Sequence, residues 1–463
     1  MISELKPYTA YKESGLPWLG QVPLHWEVER TKWRFRHRKV LNTAGASTNV
    51  LSLTLRGVVN NNPDDPEGLV PKDYRTYQLF NAGDLVFKLI DLENLRTSRV
   101  GLVHEDGIMS SAYVRLVPSR PVNRSYFYHQ FFDLYSRGVY NQLGAGVRST
   151  LGPTDLLNIS IAFPPPAEQA AIVRFLNWAN GRLERAIRSK RRVIALLNEQ
   201  KQAIIHRAVT RGLDPSVPLK DSGVPWLGKI PKHWEVRRAK YIFREVDERS
   251  LDGSEELLSV SHLTGVTPRS QKNITMFKAS SYAGHKLCLP GDLVVNTMWA
   301  WMGALGVSTH AGIISPAYAV YRSRLPEKVV GTYMDGLLRS RPYVANIICR
   351  STGLRASRLR LYPEEFFRLP IIYPPADEQL RIVESIKDAT AELNTTISRL
   401  EHEITLLREY RTRLVADVVT GKLDVRAAAA ALPDEAPLDD TIASPDTDDA
   451  LDSEDLTSSE ASE

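Results

Sequence analysis

The sequence predicts an α+β protein in which two mixed α/β domains with twisted sheets are joined by two long helices. Three observations predict this fold: a long internal repeat, short strand-like stretches inside each copy, and a long heptad-patterned segment that ends each copy. The chain of 463 residues is long enough for two or three domains. It has no apolar run of the roughly 18 residues that a membrane-spanning helix needs.

The repeat has an offset of about 208 residues. Residues 13–33 read ESGLPWLGQVPLHWEVERTKW and residues 221–241 read DSGVPWLGKIPKHWEVRRAKY, with 13 of 21 positions identical. Further matches pair 83–86 with 291–294, 146–148 with 353–355, and 165–169 with 375–379. The sequences between these motifs look unrelated. Drift alone would erode both copies evenly, so a shared frame around two different interiors predicts two versions of one task, such as reading two targets.

Each interior is predicted to be a mixed α/β domain with a mainly antiparallel sheet. The Gly-Asp before Leu-Val in both copies fits a turn that feeds a strand. The predicted strands lie in 50–55, 85–90 and 113–117 and in 257–260, 293–295 and 318–321. The Trp, Pro and Gly residues of the repeated entry segment predict an ordered loop packed on each domain.

Each copy ends in a predicted long helix. Consecutive prolines at 164–166 and 374–375 cannot lie inside a helix, so they mark where each helix starts. The runs 167–211 and 376–420 contain no proline, and about 45 residues correspond to roughly 65 Å of helix. An apolar seam recurs at heptad spacing and needs a partner helix. The seam residues are Leu183, Ile187, Ile194, Leu197, Ile204, Leu393, Ile397, Leu400, Ile404, Leu407 and Leu414. The nearest partner for each helix is the other one, in either direction; separate partner proteins are the alternative.

The body of the chain is basic and its end is acidic. Residues 427–463 carry 12 Asp and Glu and no Lys or Arg, which leaves 59 basic against 42 acidic residues before them, a net charge of +17. This balance favours an anionic partner such as nucleic acid, with a solvated basic surface as the alternative. The tail is predicted to be disordered and solubilising, or alternatively to cover the basic surface loosely. The two cysteines predict free thiols in a reducing cytoplasm.

No catalytic motif is complete. Residues 223–229 mimic a phosphate-binding loop but lack the hydroxyl residue after the lysine, and 144–149 lack the third glycine of a dinucleotide fingerprint. No Cys/His cluster predicts a zinc site. His25 and His233 recur in the entry segment, where a structural hydrogen bond is predicted. The sequence therefore predicts a chain that carries out no chemistry and binds no cofactor or metal itself.

The order of these motifs, occurring twice around unrelated interiors, resembles the specificity (S) subunit of type I restriction–modification enzymes. The resemblance covers residues 11–426 and implies sequence-specific recognition of a bipartite, asymmetric target in double-stranded DNA. The implied parts are target recognition domains at 1–163 and 221–372, spacer helices at 164–211 and 373–426, a linker at 212–220 and the tail at 427–463. It also implies that the two helices pack antiparallel, in a pseudo-two-fold arrangement.

The same resemblance implies the partners. Two methylation subunits would dock on the helices and bring S-adenosylmethionine, and restriction subunits would bring translocation and cleavage that use ATP and Mg²⁺. The chain itself would be a non-catalytic cytoplasmic subunit without membrane contact. The alternatives are a coiled-coil scaffold that reads no sequence and a stand-alone nuclease with an unrecognised site.

Candidate DNA contacts follow from residue type and position. Cations and hydroxyls on a glycine-rich turn suit phosphate oxygens, whereas Arg or Asn after the Gly-Asp strand suits a base edge. The candidates are Lys32, Arg34, Arg36, Lys88, Arg96, Arg99, Arg148, Ser149 and Thr150 in the first copy. In the second copy they are Lys240, Asn296, Trp299, Trp301, Arg355, Ser357, Arg358 and Arg360. The alternating cations from Lys32 are expected on one strand face. The alternatives are surface ion pairs for the arginines, core packing for the tryptophans and a solvated face for the basic stripe.

Overall fold

The structure is a computed structural model that describes residues 5–54, 57–62, 71–90, 92, 99–143, 150–271, 281–353 and 359–433. These residues form two compact units. The first unit contains the described residues up to Lys190 and from His402 onward, and the second contains those from Arg191 to Glu401. Each unit therefore combines one interior domain with parts of both long helices.

The first unit is built on a four-stranded antiparallel sheet in the order β4-β11-β8-β9, with four two-stranded pairs, β1-β2, β3-β12, β5-β6 and β7-β10. Its strands are β1 (Tyr11–Glu13), β2 (Gln21–Pro23), β3 (Glu27–Arg30), β4 (Phe35–His37), β5 (Leu51–Thr54), β6 (Gly57–Asn60), β7 (Gln78–Phe80), β8 (Leu85–Phe87), β9 (Val100–Leu102), β10 (Gly107–Met109), β11 (Val114–Pro118) and β12 (Ser160–Phe163). Its helices are α1 (Arg124–Ser136), α2 (Val139–Leu143), α3 (Pro153–Asn158) and the first part of α4 (Pro166–Arg211).

The second unit repeats this plan, with the sheet order β16-β23-β20-β21 and the pairs β13-β14, β15-β24, β17-β18 and β19-β22. Its strands are β13 (Leu219–Asp221), β14 (Lys229–Pro231), β15 (Glu235–Arg238), β16 (Phe243–Val246), β17 (Leu258–Ser261), β18 (Gly265–Pro268), β19 (Lys286–Cys288), β20 (Leu293–Val295), β21 (Leu305–Val307), β22 (Gly312–Ile314), β23 (Ala319–Ser323) and β24 (Pro370–Tyr373). Its helices are α5 (Gly331–Leu338), α6 (Arg341–Arg350), α7 (Pro363–Phe367) and the first part of α8 (Ala376–Val419).

The mixed α/β character is confirmed in both units, and each of the six predicted strand-like stretches contains a strand. The central strands β8 and β20 are buried at every residue, as their apolar sequences predict. Gly83 and Gly291 precede them with φ of 82° and 91°, a backbone region that glycine enters without steric cost. The long helices begin and end within a residue or two of their predicted bounds.

Each interior domain packs on two helix ends. In the first unit the start of α4 and the end of α8 share one core, and the Tyr126 hydroxyl donates to the Val419 carbonyl at 3.3 Å. In the second unit the end of α4 and the start of α8 share a core, and Tyr333 donates to the Val209 carbonyl at 3.0 Å. The start of one helix thus meets the end of the other within each unit.

Polar contacts in the first unit show the direction of the two helix segments. Arg411 lies 3.3 Å from Glu184, and Lys190 pairs with Glu403. Ascending positions on α4 meet descending positions on α8, so these segments run antiparallel. All eleven predicted seam residues are buried or partly buried, from Ile187 at 2% exposure to the intermediate Leu400.

The chain after α8 corrects one expectation. Residues 427–433 were predicted to belong to a disordered tail, but a further helix, α9 (Arg426–Ala430), forms there. Ala429 and Leu432 are buried, and Arg174 donates to the Leu432 carbonyl at 2.8 Å. The run of alanines explains the helix, because alanine has the highest helix propensity and a small apolar side chain. The 12 acidic residues of the tail all follow at 434–463, outside the described residues.

Candidate nucleic-acid interface

In the first unit the repeated His-Trp and Glu-Gln motifs form a buried cluster of hydrogen-bonded side chains, which we call the latch. Glu168 accepts hydrogen bonds from Trp26 Nε1 at 3.0 Å and from the Tyr8 hydroxyl, and it pairs with His25 Nε2 at 2.8 Å. Burial, reinforced by the Glu168 carboxylate, raises the pKa of Tyr8 above its ordinary value, so the hydroxyl stays a donor. Gln169 continues the latch by accepting from the Asn123 backbone N–H at 3.1 Å, where α1 begins.

The second unit has the same latch. Glu378 pairs with His233 Nε2 at 2.7 Å and accepts from Trp234 Nε1 at 3.1 Å. Gln379 accepts from the Val330 backbone N–H at 2.8 Å, where α5 begins. The predicted structural hydrogen bonds of His25 and His233 are confirmed. The repeated motifs therefore attach each interior domain to a helix start.

In the first unit, two candidate segments meet beside the central strand. The Leu151 N–H donates to the Leu89 carbonyl at 2.9 Å, which brings the half-buried Lys88 and the exposed Thr150 onto adjacent segments. The second unit has the same bond at the corresponding place, from the Leu361 N–H to the Thr297 carbonyl at 2.9 Å. The loop after the Gly-Asp strand and the segment after the Gly-x-Arg motif are thus neighbours in both units.

The exposed and partly exposed side chains around this bond differ between the units. In the second unit Trp299 and Trp301 stack with ring centroids 5.8 Å apart, both partly exposed. Trp301 Nε1 donates to the Met298 carbonyl at 2.9 Å, which fixes one ring of the pair. The exposed Arg360 and Thr352 exchange two backbone hydrogen bonds, and Arg360 directly precedes Leu361, which donates to Thr297. A partly exposed aromatic pair on one segment and a cation on the adjacent segment suit contact with nucleic acid, whereas the first unit offers Lys88 and Thr150 instead.

Some predicted contacts fall elsewhere. Arg96, Arg148, Ser149, Arg355, Ser357 and Arg358 lie outside the described residues. Arg99 and Asn296 are fully buried, so the structure does not place them at a surface that DNA reaches. Arg99 donates to the Ile90 carbonyl at 3.1 Å, and Asn296 accepts from the Met298 N–H at 3.3 Å. Both residues flank a strand and are buried, which their place in the sequence does not specify.

The predicted basic strand face is also corrected. Only Arg36 lies on a strand, because β4 is three residues long and Lys32 belongs to a preceding 3-10 turn, Thr31–Trp33. Arg34 is held by Glu29 at 2.9 Å and Glu27 at 3.2 Å and lies over the Phe163 ring, which gives it a structural role. Lys32 and Arg36 remain exposed.

A cation–aromatic turn occurs in both units. Lys32 lies 5.9 Å from the ring of Trp33, and Lys240 lies 4.8 Å from the ring of Tyr241 in the corresponding 3-10 turn, Ala239–Tyr241. The two aromatic rings are 60% and 58% exposed. Sequence reasoning missed the aromatic residues, although they close the two repeated segments.

Further cations surround these turns. Arg30 and Arg238 precede them, and both are exposed. A cleft of about 460 Å³ lies beside Trp33 and includes Arg30 and Arg120. Each unit therefore presents an exposed turn that combines cations with an aromatic ring.

Among the described residues, no group of three or more His, Cys, Asp or Glu side chains is arranged to hold a metal ion. Among the helices described, none combines the length and the apolar character needed to cross a membrane.

No protein-family model matches the sequence, and no curated protein matches it. Solved structures do match. One is a chain from work titled "Structural basis underlying complex assembly and conformational transition of the type I R-M system", with a TM-score of 0.55 and 15% identity over 87% of this chain and 99% of that one. Another is the HsdS subunit from Thermoanaerobacter tengcongensis, with a TM-score of 0.36 and 16% identity over 87% of this chain and 98% of that one.

A third structure is the S subunit of a type I restriction–modification system from M. genitalium, with a TM-score of 0.33 and 13% identity over 85% of this chain and 96% of that one. The fold assignment rests on the first match, which spans most of both chains. The chain therefore has the fold of a protein from a type I restriction–modification system.

Proposed function

We propose that this chain is the DNA-specificity subunit of a type I restriction–modification complex and that each interior domain reads one half of a bipartite target. One observation carries the proposal. The same frame holds two different interiors, and the loop after the Gly-Asp strand meets the segment after the Gly-x-Arg motif at the same place in each unit, with different exposed side chains. Two equivalent domains with different side chains at equivalent positions are what recognition of an asymmetric target requires.

The two kinds of exposed residue suit the two kinds of DNA contact. Features shared by both units, such as the turns with Lys32 and Lys240, suit phosphate contacts, which are independent of sequence. Features that differ, such as Trp299 with Trp301 in one unit and Lys88 with Thr150 in the other, suit base reading.

The long helices would set the gap between the half-sites. Helix α4 begins in the first unit and ends in the second, and α8 does the reverse. Each has 44 residues or more, which corresponds to roughly 65 Å of continuous helix. In this proposal the bases between the half-sites are not read, and helix length determines how many there are.

Catalysis belongs to partner subunits in this proposal. Methylation subunits would dock on this chain and supply S-adenosylmethionine, and restriction subunits would supply the steps that use ATP and Mg²⁺. The match to a chain from a type I R-M structure whose title concerns complex assembly supports the proposal that such partners exist.

The direct test is modified-base sequencing of host genomic DNA with and without this gene. We expect methylation at one split motif with a fixed gap, which disappears when the gene is deleted. Exchange of residues 34–163 for the corresponding domain of another specificity subunit is then expected to change one half of the motif and leave the other intact.

The alternatives give other results. A coiled-coil scaffold would leave the methylation pattern unchanged on deletion and would select no sequence from random duplexes. A stand-alone nuclease would cleave DNA with a divalent metal in the absence of any other subunit. A domain exchange that altered both halves of the motif would refute the modular assignment.

A further inference from the structure

Four exposed arginines lie along one side of α4 in the first unit. Arg182, Arg185 and Arg188 follow Arg174 by 8, 11 and 14 residues, and all four side chains are exposed. At about 100° of rotation per residue, the three later positions lie within about 80° of Arg174 around the helix. We call these four residues the basic stripe.

Three members of the basic stripe form no ion pair within the part of the chain that the structure describes. They are Arg182, Arg185 and Arg188. Glu184, which lies between them in the sequence, pairs with Arg411 of α8 at 3.3 Å. Arginines three residues apart on a helix are neighbours and repel each other. An anion lying along the stripe would therefore stabilise this part of α4.

The equivalent positions of α8 in the second unit carry no cation. They lie 210 residues later and are occupied by Glu384, Glu392, Thr395 and Ser398, all of them exposed. A partner that bound both long helices alike would need the same charges on both. The basic stripe therefore calls for an occupant that is specific to the first unit.

The chain itself leads an acidic segment to the basic stripe. Arg174 Nη2 donates to the Leu432 carbonyl at 2.8 Å and to the Pro433 carbonyl at 3.4 Å. Val425 and Ala429 of the same segment are buried in the core of the first unit, which fixes the position of these carbonyls. The last described residues are thus held by the first arginine of the stripe.

The next seven residues match the basic stripe in charge and in length. The sequence DEAPLDD at 434–440 contains four carboxylates and no cation. From Arg174 to Arg188 the helix rises about 21 Å, and seven residues of extended chain reach about 23 Å. Four carboxylates can thus reach four arginines in a single pass along the helix.

We propose that residues 434–440 lie along the basic stripe and keep nucleic acid away from it. Arginine and carboxylate groups form strong charge-assisted hydrogen bonds, and the link to Pro433 gives the segment a high local concentration. Without this cover, the four arginines would bind phosphates of any sequence. The exclusion of nucleic acid rests on the proposed function, since contacts that are independent of sequence oppose the selection of one target.

Chemical cross-linking of the full chain tests the contact. Arg185→Lys keeps the charge and supplies an amine, which a zero-length carbodiimide joins to a carboxylate in contact with it. Trypsin then releases the acidic end as one peptide from Ala427, because no Lys or Arg follows Arg426. Mass spectrometry is expected to find this peptide joined to the introduced lysine through residues 434–440. A mixture of isotope-labelled and unlabelled chains shows whether the link lies within one chain.

The matched control for the cross-link is Thr395→Lys. It places an exposed lysine at the position of α8 that is equivalent to Arg185. This lysine is expected to form no link to residues 434–440. Circular dichroism checks that both variants keep their helix content.

Binding of a duplex that lacks the target, measured by fluorescence anisotropy, tests the exclusion. A full chain with the four carboxylates of 434–440 changed to amides is expected to bind about tenfold more tightly, and its salt slope is expected to steepen by about 3, because the uncovered arginines gain phosphate contacts. The gain should disappear when Arg182, Arg185 and Arg188 are also changed to Gln. The amide substitutions are Asp434→Asn, Glu435→Gln, Asp439→Asn and Asp440→Asn.

The control for charge alone changes four carboxylates farther along the chain. The substitutions are Asp452→Asn, Glu454→Gln, Asp455→Asn and Glu460→Gln. They remove the same net charge and are expected to change the affinity little. An equal gain from both sets would mean that net charge acts without the stripe, which would overturn the proposal.

The remaining outcomes separate this inference from the proposed function. If the lysines at 185 and 395 link to residues 434–440 equally often, or if the links join different chains, the inference is wrong. If the link forms but the amide variant binds the duplex no more tightly, the cover excludes no nucleic acid and the proposal is overturned. In each of these cases, loss of methylation on deletion of the gene would still support the specificity role. If deletion changes no methylation, the specificity role fails whatever the cross-link shows.

Discussion

The two units complete the same latch in different ways. In the first, the Glu168 side chain is 4% exposed and contacts Tyr8, His25 and Trp26. In the second, Glu378 is 16% exposed and contacts only His233 and Trp234 among the described side chains. The repeated glutamate is therefore less exposed in the first unit than in the second, because the residues around it are not repeated.

The additional contact of the first unit, from Tyr8, comes from the N-terminal segment. Tyr8 lies near the start of the chain, where the Asp424 N–H donates to the Lys6 carbonyl at 2.9 Å and the Tyr11 hydroxyl donates to the Lys422 carbonyl at 3.2 Å. In the second unit the chain runs directly from α4 through Gly212, where an added Cβ would lie 3.3 Å from Trp234 and 3.4 Å from Glu378. In the first unit, hydrogen bonds thus join the N-terminal segment to the residues after α8. In the second unit, the chain itself joins the end of α4 to the corresponding segment.

The aspartate of the Gly-Asp motif is also repeated, whereas its partner is not. Asp84 binds Arg115 at 2.6 Å, and Asp292 binds Arg322 at 2.8 Å. These arginines do not occupy equivalent strand positions, since Arg115 pairs with Val86 across the sheet and the counterpart of that pair is Val320 with Val294. The aspartate is kept, and each interior supplies its own cation.

The largest expected effect is on the stability that each latch gives to its own unit. Glu168→Ala should destabilise the first unit by about 3 kcal/mol, and Glu378→Ala should destabilise the second by about 1–2 kcal/mol, because more buried donors lose their acceptor in the first. Hydrogen exchange of the full chain in increasing urea measures each unit separately. Glu392→Ala on the exposed face of α8 is the control and should change little. Equal losses in the two units would contradict the comparison.

Lowering the pH should reduce the free energy of unfolding of the first unit through His129. The corresponding residue of the second unit is Gly336. Burial lowers the pKa of His129 to about 4, from an ordinary value of 6.5. Between these values the unfolded chain binds the proton first, so stability falls as the pH drops from 7 toward 4. The expected loss at pH 5 is about 2 kcal/mol. Exchange protection of α1 at pH 7 and pH 5 measures it, and His129→Gln should remove most of the difference.

The tryptophan pair should affect one half-site only. Trp299→Ala is expected to weaken recognition by about tenfold at the half read by the second unit, because the first unit has no such pair at that place. Binding to duplexes with either half scrambled measures the effect in the presence of the methylation subunit. The variant should become insensitive to scrambling of one half and keep its response to the other. Equal loss at both halves would mean that the pair serves packing.

The smallest expected effect concerns the shared turns. Lys32→Ala and Lys240→Ala should each weaken binding about two- to threefold, equally for all sequences, and reduce the salt slope by about 0.9. Titrations at several salt concentrations measure both quantities. Lys232→Ala is the control, since this exposed lysine lies in the repeated segment but corresponds to Leu24, so the two units do not share it. A change in sequence preference would show that the turns read bases.

Several features were predictable because they depend on neighbours in the chain. The strands in 85–90 and 293–295 follow from a Gly-Asp turn and an apolar run. The starts of α4 and α8 follow from consecutive prolines, and their length from proline-free runs with a heptad pattern. The hydrogen-bonding roles of His25 and His233 follow from their place in the repeated segment.

The candidate site was less predictable, because the direction of a side chain depends on contacts far away in sequence. Arg99 and Asn296 have the residue types of DNA contacts, yet both are buried. Arg34 looked like one member of a basic stripe, but two glutamates and the Phe163 ring hold it. The repeat contained the useful signal, since Trp33 and Tyr241 close the repeated segments and are exposed in both units.

The sequence by itself determined the duplication, the strand-like stretches and the length of both long helices, because these can be recognised from repeated motifs and local periodicity. Only the tertiary structure decided that each domain packs on the start of one helix and the end of the other, as Tyr126 and Tyr333 do on Val419 and Val209. It also decided that residues 427–433 pack on the first unit. A heptad seam specifies that a helix needs a partner, but its direction is decided by contacts between residues that are distant in the chain.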